Sequence, residues 1–328
     1  MKIIVVGASH GGQAAIEGII NQSNVEVKWY DQGNIADSLR LSLDDAERRF
    51  AELANQGVRT FSYYQAVKLL TDQKTLRVTN IQTGQEQDEQ YDKLILATGA
   101  SPSKLPVPGA ELNGILTLRD AQSLMQFRKS ATDENIKNIV VVGAGYIGIG
   151  AVSLFAQAGK KVTVIDSGDR ILGTYLDHEF TDVISKSLIE KNVSIQTTER
   201  LTKFVGSDDQ VVGIETDQGT YPADLVIMSI GAKPNTNWLA GEIELESNGL
   251  VKTNEFQQTS NSDVFAVGDI TKLRYNPGDT DMNISLASNA RRQGYLAAQN
   301  LTEPMQAFSG TQELRPGMFL ITNLARLA

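Results

Sequence analysis

Gly143-Ala144-Gly145-Tyr146-Ile147-Gly148 is the stretch that decides the fold of this chain. The apolar run at 139–142 before it predicts a buried strand, and the apolar stretch 147–158 predicts a helix. The next run, Lys161–Ile165, predicts a second strand that ends at Asp166. Glycines at this spacing allow a tight turn, the approach of a pyrophosphate and close helix–strand packing, and the helix N-terminus offers free N–H groups to phosphate. The stretch therefore predicts a dinucleotide-binding βαβ unit.

The start of the chain repeats this arrangement. Gly7-Ala8-Ser9-His10-Gly11-Gly12 follows the apolar strand Lys2–Val6, and the next predicted strand, 25–30, ends at Asp31. The match is looser than in the middle of the chain, because Ser9 stands where the second glycine is expected. Strand, glycine turn, helix, strand and carboxylate thus occur twice, which predicts a duplicated fold.

The two carboxylates stand at nearly the same distance from their turns. Asp31 lies 19 residues after Gly12, and Asp166 lies 18 residues after Gly148. A carboxylate at this strand end accepts hydrogen bonds from ribose hydroxyls. It also repels the 2′-phosphate of NADP, and the two residues that follow Asp166 are uncharged. The second site is therefore predicted to prefer NAD, although Arg170 is close in sequence.

Composition excludes several classes of function. The 328 residues contain no cysteine and two histidines, so disulfides, thiol catalysis and a metal site are not expected. The net charge of −9, without a basic tract, disfavours nucleic acid and anionic membranes as partners. The first residues lack the features of a secretory signal, and the glycines within 139–158 argue against a membrane span. We therefore expect a cytoplasmic protein.

The remaining pattern predicts further elements on both sides of a proline-containing linker. Pro102, Pro106 and Pro108 mark this linker, since proline disfavours regular structure in itself and in its predecessor. The predicted elements are a helix at 37–55, antiparallel strands at 59–69 and 76–83, and buried strands at 91–97, 225–230 and 263–267. The strand 91–97 ends at Thr98-Gly99-Ala100, and the strand 225–230 ends at Gly231.

A third motif, Thr259-Ser260-Asn261-Ser262-Asp263-Val264-Phe265-Ala266-Val267-Gly268-Asp269, follows the two glycine turns. The three motifs in this order resemble the FAD- and NAD(P)-dependent pyridine nucleotide-disulfide oxidoreductases. Ser9-His10-Gly11-Gly12 points to the NADH oxidase/NADH peroxidase branch. The resemblance implies an α/β fold of two Rossmann-like dinucleotide-binding domains, with the NAD domain inserted in the FAD domain. We expect a discontinuous FAD-binding domain, 1–107 and 233–328, and an NAD-binding domain at 108–232.

The resemblance also implies roles for individual residues. Thr98-Gly99-Ala100 would lie against the FAD pyrophosphate, and Gly268-Asp269 would hold the ribityl chain and phosphate. The segment 283–294 would form a helix whose N-terminus faces the flavin pyrimidine, where its dipole stabilises negative charge, and Leu286, Ala287 and Ser288 lie within this segment. Tyr146 would cover the flavin and swing away when nicotinamide enters, or pack structurally. His10, which points at the redox cysteine in relatives, is the other candidate catalytic residue, or it is structural here. The predicted cofactor-binding set is Gly7, Ser9, His10, Gly11, Gly12, Asp31, Thr98, Gly99, Ala100, Gly143, Gly145, Tyr146, Ile147, Gly148, Asp166, Gly231, Gly268, Asp269, Leu286, Ala287 and Ser288.

Three departures from the family bear on the chemistry. The redox cysteine is missing, Gly150 stands where the family usually has glutamate, and the sequence ends at Ala328 where relatives continue into a dimerisation domain. The oligomeric state is therefore left open. We expect hydride transfer from NADH to FAD, and then to oxygen, giving hydrogen peroxide, or to another small acceptor. Water formation or peroxide reduction would need a sulfenic acid relay.

Two alternatives stay open. One is an NAD(P)H reductase of a small redox protein, and the other is a non-catalytic nucleotide-binding paralogue.

Overall fold

The structure is a computed structural model that describes residues 1–20, 22–118 and 121–312. The last part of the predicted FAD-binding segment, 313–328, lies outside the described residues. The helices are α1 His10–Ile19, α2 Ile35–Leu39, α3 Leu43–Asn55, α4 Ala121–Thr132, α5 Tyr146–Gln157, α6 His178–Ile189 and α7 Ala287–Gln299. The strands are β1 Lys2–Val6, β2 Glu26–Asp31, β3 Val58–Ser62, β4 Tyr64–Leu70, β5 Thr75–Asn80, β6 Glu86–Gln90, β7 Lys93–Leu96, β8 Ala100–Pro102, β9 Ile115–Thr117, β10 Asn138–Val142, β11 Lys161–Ile165, β12 Ser194–Gln196, β13 Leu201–Ser207, β14 Gln210–Thr216, β15 Thr220–Pro222, β16 Leu225–Met228, β17 Ala232–Pro234, β18 Val264–Ala266, β19 Leu273–Tyr275 and β20 Thr280–Met282.

The chain forms two compact units. The first unit consists of Met1–Ala100 together with a segment that begins at Lys233. The second unit contains the intervening Ser101–Ala232. The predicted α/β class with two Rossmann-like folds is confirmed, because each unit is built on its own parallel sheet.

The sheet of the first unit has the strand order β18-β7-β1-β2-β3, and all its strands are parallel. Its central strands are buried on both faces, as is usual for a parallel sheet covered by helices and loops. Val5 is paired with Trp29 on one side and with Ile95 on the other. Helices α1 and α7 pack closely, since an added Cβ at Gly294 would lie 2.0 Å from the carbonyl oxygen of Gly11.

The predicted helix at 37–55 is wrong, because the structure has two helices in this region. Asn34 caps α2 by accepting a hydrogen bond from the N–H of Ala36, and α2 is followed by its C-cap Arg40, which is left-handed at φ +58°. Ser42 then caps α3 by accepting from the N–H of Asp45 at 3.2 Å. The helical periodicity runs across this break, so apolar spacing alone does not reveal it.

The predicted antiparallel strand at 59–69 is likewise two strands. Tyr63 adopts φ +65° and separates β3 from β4. Strand β3 joins the parallel sheet beside β2, whereas β4 pairs antiparallel with β5, and β5 with β6. Strand β6 is not predicted from the sequence, because its residues Glu86–Gln90 are all polar.

The sheet of the second unit has the strand order β12-β11-β10-β16-β9 and is also parallel. The antiparallel strands β13, β14 and β15 form a separate sheet in this unit. The apolar stretch 139–158 folds as strand, turn and helix, as predicted. Within the described ranges, none of the helices combines the length and hydrophobicity needed to cross a bilayer.

Candidate nucleotide-binding sites

The two glycine turns begin with the same backbone geometry. Gly7 and Gly143 adopt φ values of +105° and +100°, a region that side-chain-bearing residues rarely occupy. Their N–H groups donate to the carbonyls of Tyr30 and Ile165, each at 2.8 Å. An added Cβ would lie 2.1 Å from a backbone oxygen at Gly7 and 2.5 Å at Gly143. Both positions therefore require glycine.

The last glycine of each turn brings the following helix against the turn. An added Cβ at Gly12 would lie 1.8 Å from the carbonyl oxygen of Gly7, and one at Gly148 would lie 1.9 Å from that of Gly143. Helices α1 and α5 can therefore begin directly over their turns. Their first N–H groups are placed where a phosphate can accept hydrogen bonds.

The two aspartates hold these turns in place. Asp31 accepts hydrogen bonds from the N–H of Ala8 at 2.6 Å and from that of Gly33 at 2.7 Å. Asp166 accepts at 2.6 Å from the N–H of Ala144 and at 2.6 Å from the N–H two residues after itself. Each carboxylate oxygen keeps further acceptor capacity for a ribose hydroxyl, because an ionised carboxylate offers about four acceptor positions. Each carboxylate therefore stabilises its turn and can also accept a hydrogen bond from a nucleotide.

At the same edge of the first sheet, β7 and β18 lead into further predicted residues. Thr98 Oγ1 donates to the carbonyl of Asn235 at 3.1 Å, and the side chain of Asn235 donates back to Thr98 at 2.9 Å. Gly268 follows β18 at φ +77°, and its N–H donates to Gln293 Oε1 of α7 at 3.0 Å. The structure thus brings the loops after β1, β2, β7 and β18 to one sheet edge, as expected for parallel strands.

The segment before α7 is fastened to the Gly268-Asp269 loop. The side-chain amide of Asn283 donates to the carbonyls of Asp269 at 3.1 Å and Thr271 at 2.9 Å. The predicted Leu286-Ala287-Ser288 forms the start of α7, with Leu286 as its N-cap. In the first turn, Asn289 is 1% exposed, and its Nδ2 has no hydrogen-bond partner among the described residues. A buried, unused donor of this kind fits a site that a ligand completes.

His10 begins α1 and lies at the surface. Its Nδ1 is 3.2 Å from Ser9 Oγ. Desolvation by neighbouring atoms lowers the pKa of His10, the charges of Arg40 and Arg291 lower it further, and Asp269 acts in the opposite direction. The neutral imidazole is therefore favoured at neutral pH.

Helix α2 is attached to the first glycine turn through one side chain. Gln13 Nε2 donates to the carbonyl of Ala8 at 2.9 Å and to that of Ser38 at 3.1 Å. Helix α2 lies in the region where, by the resemblance, relatives carry the redox cysteine. The sequence analysis missed Gln13, because its role depends on α2 folding back to α1.

In the second unit, the loop after β11 packs on the glycine turn. The N–H of Leu172, which is left-handed at φ +54°, donates to the carbonyl of Ala144 at 2.9 Å. The rings of Tyr146 and Tyr175 meet edge to face, with centroids 5.8 Å apart and an interplanar angle of 72°. An added Cβ at Gly145 would lie 3.5 Å from the Tyr175 ring. Tyr175 is therefore a neighbour of the turn that the sequence analysis did not identify.

Two further contributors were also missed. Trp29 Nε1 donates to the carbonyl of Gly7 at 2.9 Å, and Ser229 Oγ donates to that of Gly143 at 2.7 Å. Each first glycine thus has a side-chain donor on its carbonyl, from a tryptophan in one unit and a serine in the other. Because the residue types differ, no repeat in the sequence indicates this shared contact. Gly231, at φ +97° after β16, is exposed, and the space around it is open.

The residues present fit two dinucleotides. Each unit supplies a turn that only glycine can form, a helix N-terminus above it and a carboxylate at the end of the second strand. The first unit adds the Gly268-Asp269 loop and the start of α7. These groups match pyrophosphate and ribose in both units, and the extra loop suits the longer polyol chain of FAD.

Comparison with known proteins gives consistent matches. The family model for pyridine nucleotide-disulphide oxidoreductase matches residues 1–294. An NADH oxidase of Enterococcus faecalis is 37% identical over 326 residues, which cover 95% of this chain and 73% of that protein. An NADH oxidase of Streptococcus pyogenes is 35% identical, with 91% of this chain and 70% of that protein covered.

Among solved structures, the water-forming NADH oxidase from Lactobacillus brevis bound to NADH is 31% identical, with a TM-score of 0.85. The match covers 95% of this chain and 72% of that chain.

Proposed function

Since this chain belongs to the pyridine nucleotide-disulphide oxidoreductase family, we propose that it is an FAD-dependent NADH oxidoreductase that passes electrons to oxygen or another small acceptor. The observation that carries the proposal is the pair of matching turns, each with its aspartate bonded to the turn N–H at 2.6 Å. We assign FAD to the first unit and NADH to the second. When bound, FAD supplies the two-electron chemistry that protein side chains lack.

In the first unit, the residues that would hold FAD are those at the sheet edge. The N–H groups at the start of α1 would bind the pyrophosphate, and Asp31 would accept from the adenosine ribose. Asp269 and the start of α7 would bind the ribityl chain and the flavin. We propose His10 as a neutral donor or acceptor beside the flavin, in keeping with its lowered pKa.

In the second unit, α5 and Asp166 would hold the pyrophosphate and ribose of NADH. Tyr146, the first residue of α5, is the proposed catalytic residue of this unit, where its ring would orient the nicotinamide. Its edge-to-face contact with Tyr175 stabilises this ring position. We propose for Tyr146 a role in nicotinamide binding rather than in proton transfer.

The absence of cysteine separates this chain from thiol-dependent chemistry. With no residue able to form a sulfenic acid, the chain itself has no second redox centre through which peroxide could be reduced to water. We therefore propose hydrogen peroxide as the product when oxygen is the acceptor. We therefore do not expect this chain to have the water-forming activity of the Lactobacillus brevis relative.

The test is an anaerobic titration of the purified protein with NADH, followed by readmission of oxygen. We expect a yellow protein that NADH bleaches, and about one hydrogen peroxide formed per NADH oxidised in air. Added peroxide should not accelerate NADH consumption. A colourless protein that binds NADH would support the non-catalytic alternative. Water as the product would contradict the proposed formation of hydrogen peroxide.

A further inference from the structure

Arg170 lies four residues after Asp166, and its guanidinium is folded back on its own loop. Its Nη2 donates to the carbonyls of Gly173 at 3.1 Å and Leu176 at 3.4 Å, and its Nη1 lies 2.8 Å from His178 Nε2. The carboxylate of Asp169 is 3.8 Å away. Arginine can only donate, so in this contact Nε2 of His178 takes the role of acceptor.

Gly173 makes room for this conformation. An added Cβ there would lie 2.8 Å from Cγ of Arg170 and 3.2 Å from its Nε. The φ of Gly173 is not in the left-handed region, so alanine is compatible with the backbone. Arg170 is 24% exposed, and its buried Nε has no hydrogen-bond partner in the described part of the chain. The folded-back position therefore depends on its contacts with Gly173, Leu176 and His178.

The same loop is joined to the proposed nucleotide site. The N–H of Gly168 donates to Asp166 Oδ1 at 2.6 Å, and the N–H of Leu172 donates to Ala144 in the glycine turn at 2.9 Å. The start of the loop is also fixed by the N–H of Thr198, which donates to the carbonyl of Gly168 at 2.6 Å. The guanidinium thus belongs to a loop that is bonded to the carboxylate expected at the ribose.

We propose that His178 is a specificity-determining residue, because together with the loop carbonyls it holds the guanidinium of Arg170 away from the position of a nucleotide 2′-phosphate. The inference rests on the proposed function, in which the second unit binds NADH. A guanidinium free to turn toward the ribose would bind a 2′-phosphate through charge-assisted hydrogen bonds. With Arg170 withheld, the carboxylate of Asp166 at the proposed ribose position is not offset by this cation, and NADPH is disfavoured.

The test compares four full-length proteins: the wild type, His178→Ala, Gly173→Ala and His178→Gln. NADH and NADPH are titrated into each by calorimetry, and kcat and KM are measured for both nucleotides. His178→Ala removes the acceptor, and Gly173→Ala displaces the arginine through its Cβ. In both, we expect the ratio of NADPH to NADH affinity to rise about tenfold, the value of one charge-assisted hydrogen bond. The gain should appear in the KM for NADPH rather than in kcat.

Two controls separate this effect from a general loosening of the loop. His178→Gln retains an acceptor oxygen and should keep the wild-type ratio. Adding Arg170→Ala to His178→Ala should abolish the gain, because the cation itself is then missing. An unchanged ratio in both His178→Ala and Gly173→Ala, in proteins that still bind NADH, would overturn the inference. A wild-type protein that binds neither nucleotide would instead overturn the proposed function, and this inference with it.

Discussion

Two alanine substitutions in one turn should affect different properties: Gly148→Ala should lower thermal stability, and Gly145→Ala should lower NADH affinity. At Gly148, the new Cβ would lie 1.9 Å from the backbone oxygen of Gly143 and 2.6 Å from Ser229 Oγ, whereas real Cβ atoms essentially never approach closer than 3.0 Å. Relief requires α5 to move off the turn, an overpacking strain of about 3 kcal/mol. At about 2–4 °C per kcal/mol, Tm of the second unit should fall by roughly 6–12 °C.

At Gly145, the same change should leave stability nearly intact. Its φ is −73°, and the nearest atoms to an added Cβ are those of the Tyr175 ring, at 3.5 and 3.6 Å. In the first unit, Ser9 occupies the equivalent position with φ −82°, so the backbone accepts a side chain there. We expect a stability loss below about 1 kcal/mol. In the dinucleotide-binding fingerprint this glycine lets the backbone approach the pyrophosphate, so an added Cβ should lower NADH affinity about tenfold, or 1.4 kcal/mol.

The measurements are thermal unfolding followed by circular dichroism and calorimetric titration with NADH, made on both variants. The reasoning would be refuted if Gly148→Ala melted like the wild type, since the short distance would then carry no strain. It would also be refuted if Gly145→Ala bound NADH with unchanged affinity.

Three further outcomes are expected. Asp269→Ala should yield a largely flavin-free protein, because it removes acceptors for the ribityl hydroxyls; a full flavin absorbance after purification would argue against this role. Asp166→Ser should narrow or invert the preference for NADH over NADPH, because a charged hydrogen-bond partner worth about 1.5–3 kcal/mol is lost; an unchanged ratio of kcat/KM values would count against it. Partial burial opposes ionisation of Asp263, but hydrogen bonds from Lys74 and Lys93 outweigh it and lower its pKa. The wild type should therefore have a larger free energy of unfolding than Asp263→Asn at neutral pH. This difference should disappear as the pH falls through the lowered pKa of Asp263, as measured by denaturant unfolding.

The sequence predicted the parts of the molecule that depend on short-range pattern. Gly143 and Gly148 follow an apolar strand and open a helix, and this local order is enough to place them on a turn. Asp31 and Asp166 could be placed at the nucleotide edge because parallel strands end on the same side of a sheet. That each aspartate also accepts from the turn N–H was not predicted, because the pattern gives position and not hydrogen-bond partners.

The features that were missed depend on contacts between distant segments or on a single backbone conformation. The helix predicted at 37–55 is divided because Arg40 is left-handed. An arginine in the sequence does not indicate this conformation. The folded-back position of Arg170 needs the carbonyls of Gly173 and Leu176, and these are positioned only when the loop is folded. Neither the left-handed conformation of Arg40 nor the hydrogen bonds of Arg170 can be derived from apolar spacing.

The insertion of one unit within the other has a consequence for synthesis on the ribosome. Strands β9 to β12 and β16 all lie within Ser101–Ala232, so this unit can complete its sheet as soon as it has emerged. The earlier-made β1, β2, β3 and β7 must wait for β18 at the sheet edge and for α7, whose Gly294 closes against Gly11. Until those residues emerge, the apolar face of α1 is uncovered in the nascent chain, where it is open to chaperones and to mispairing. The FAD-assigned unit is thus begun first and finished last.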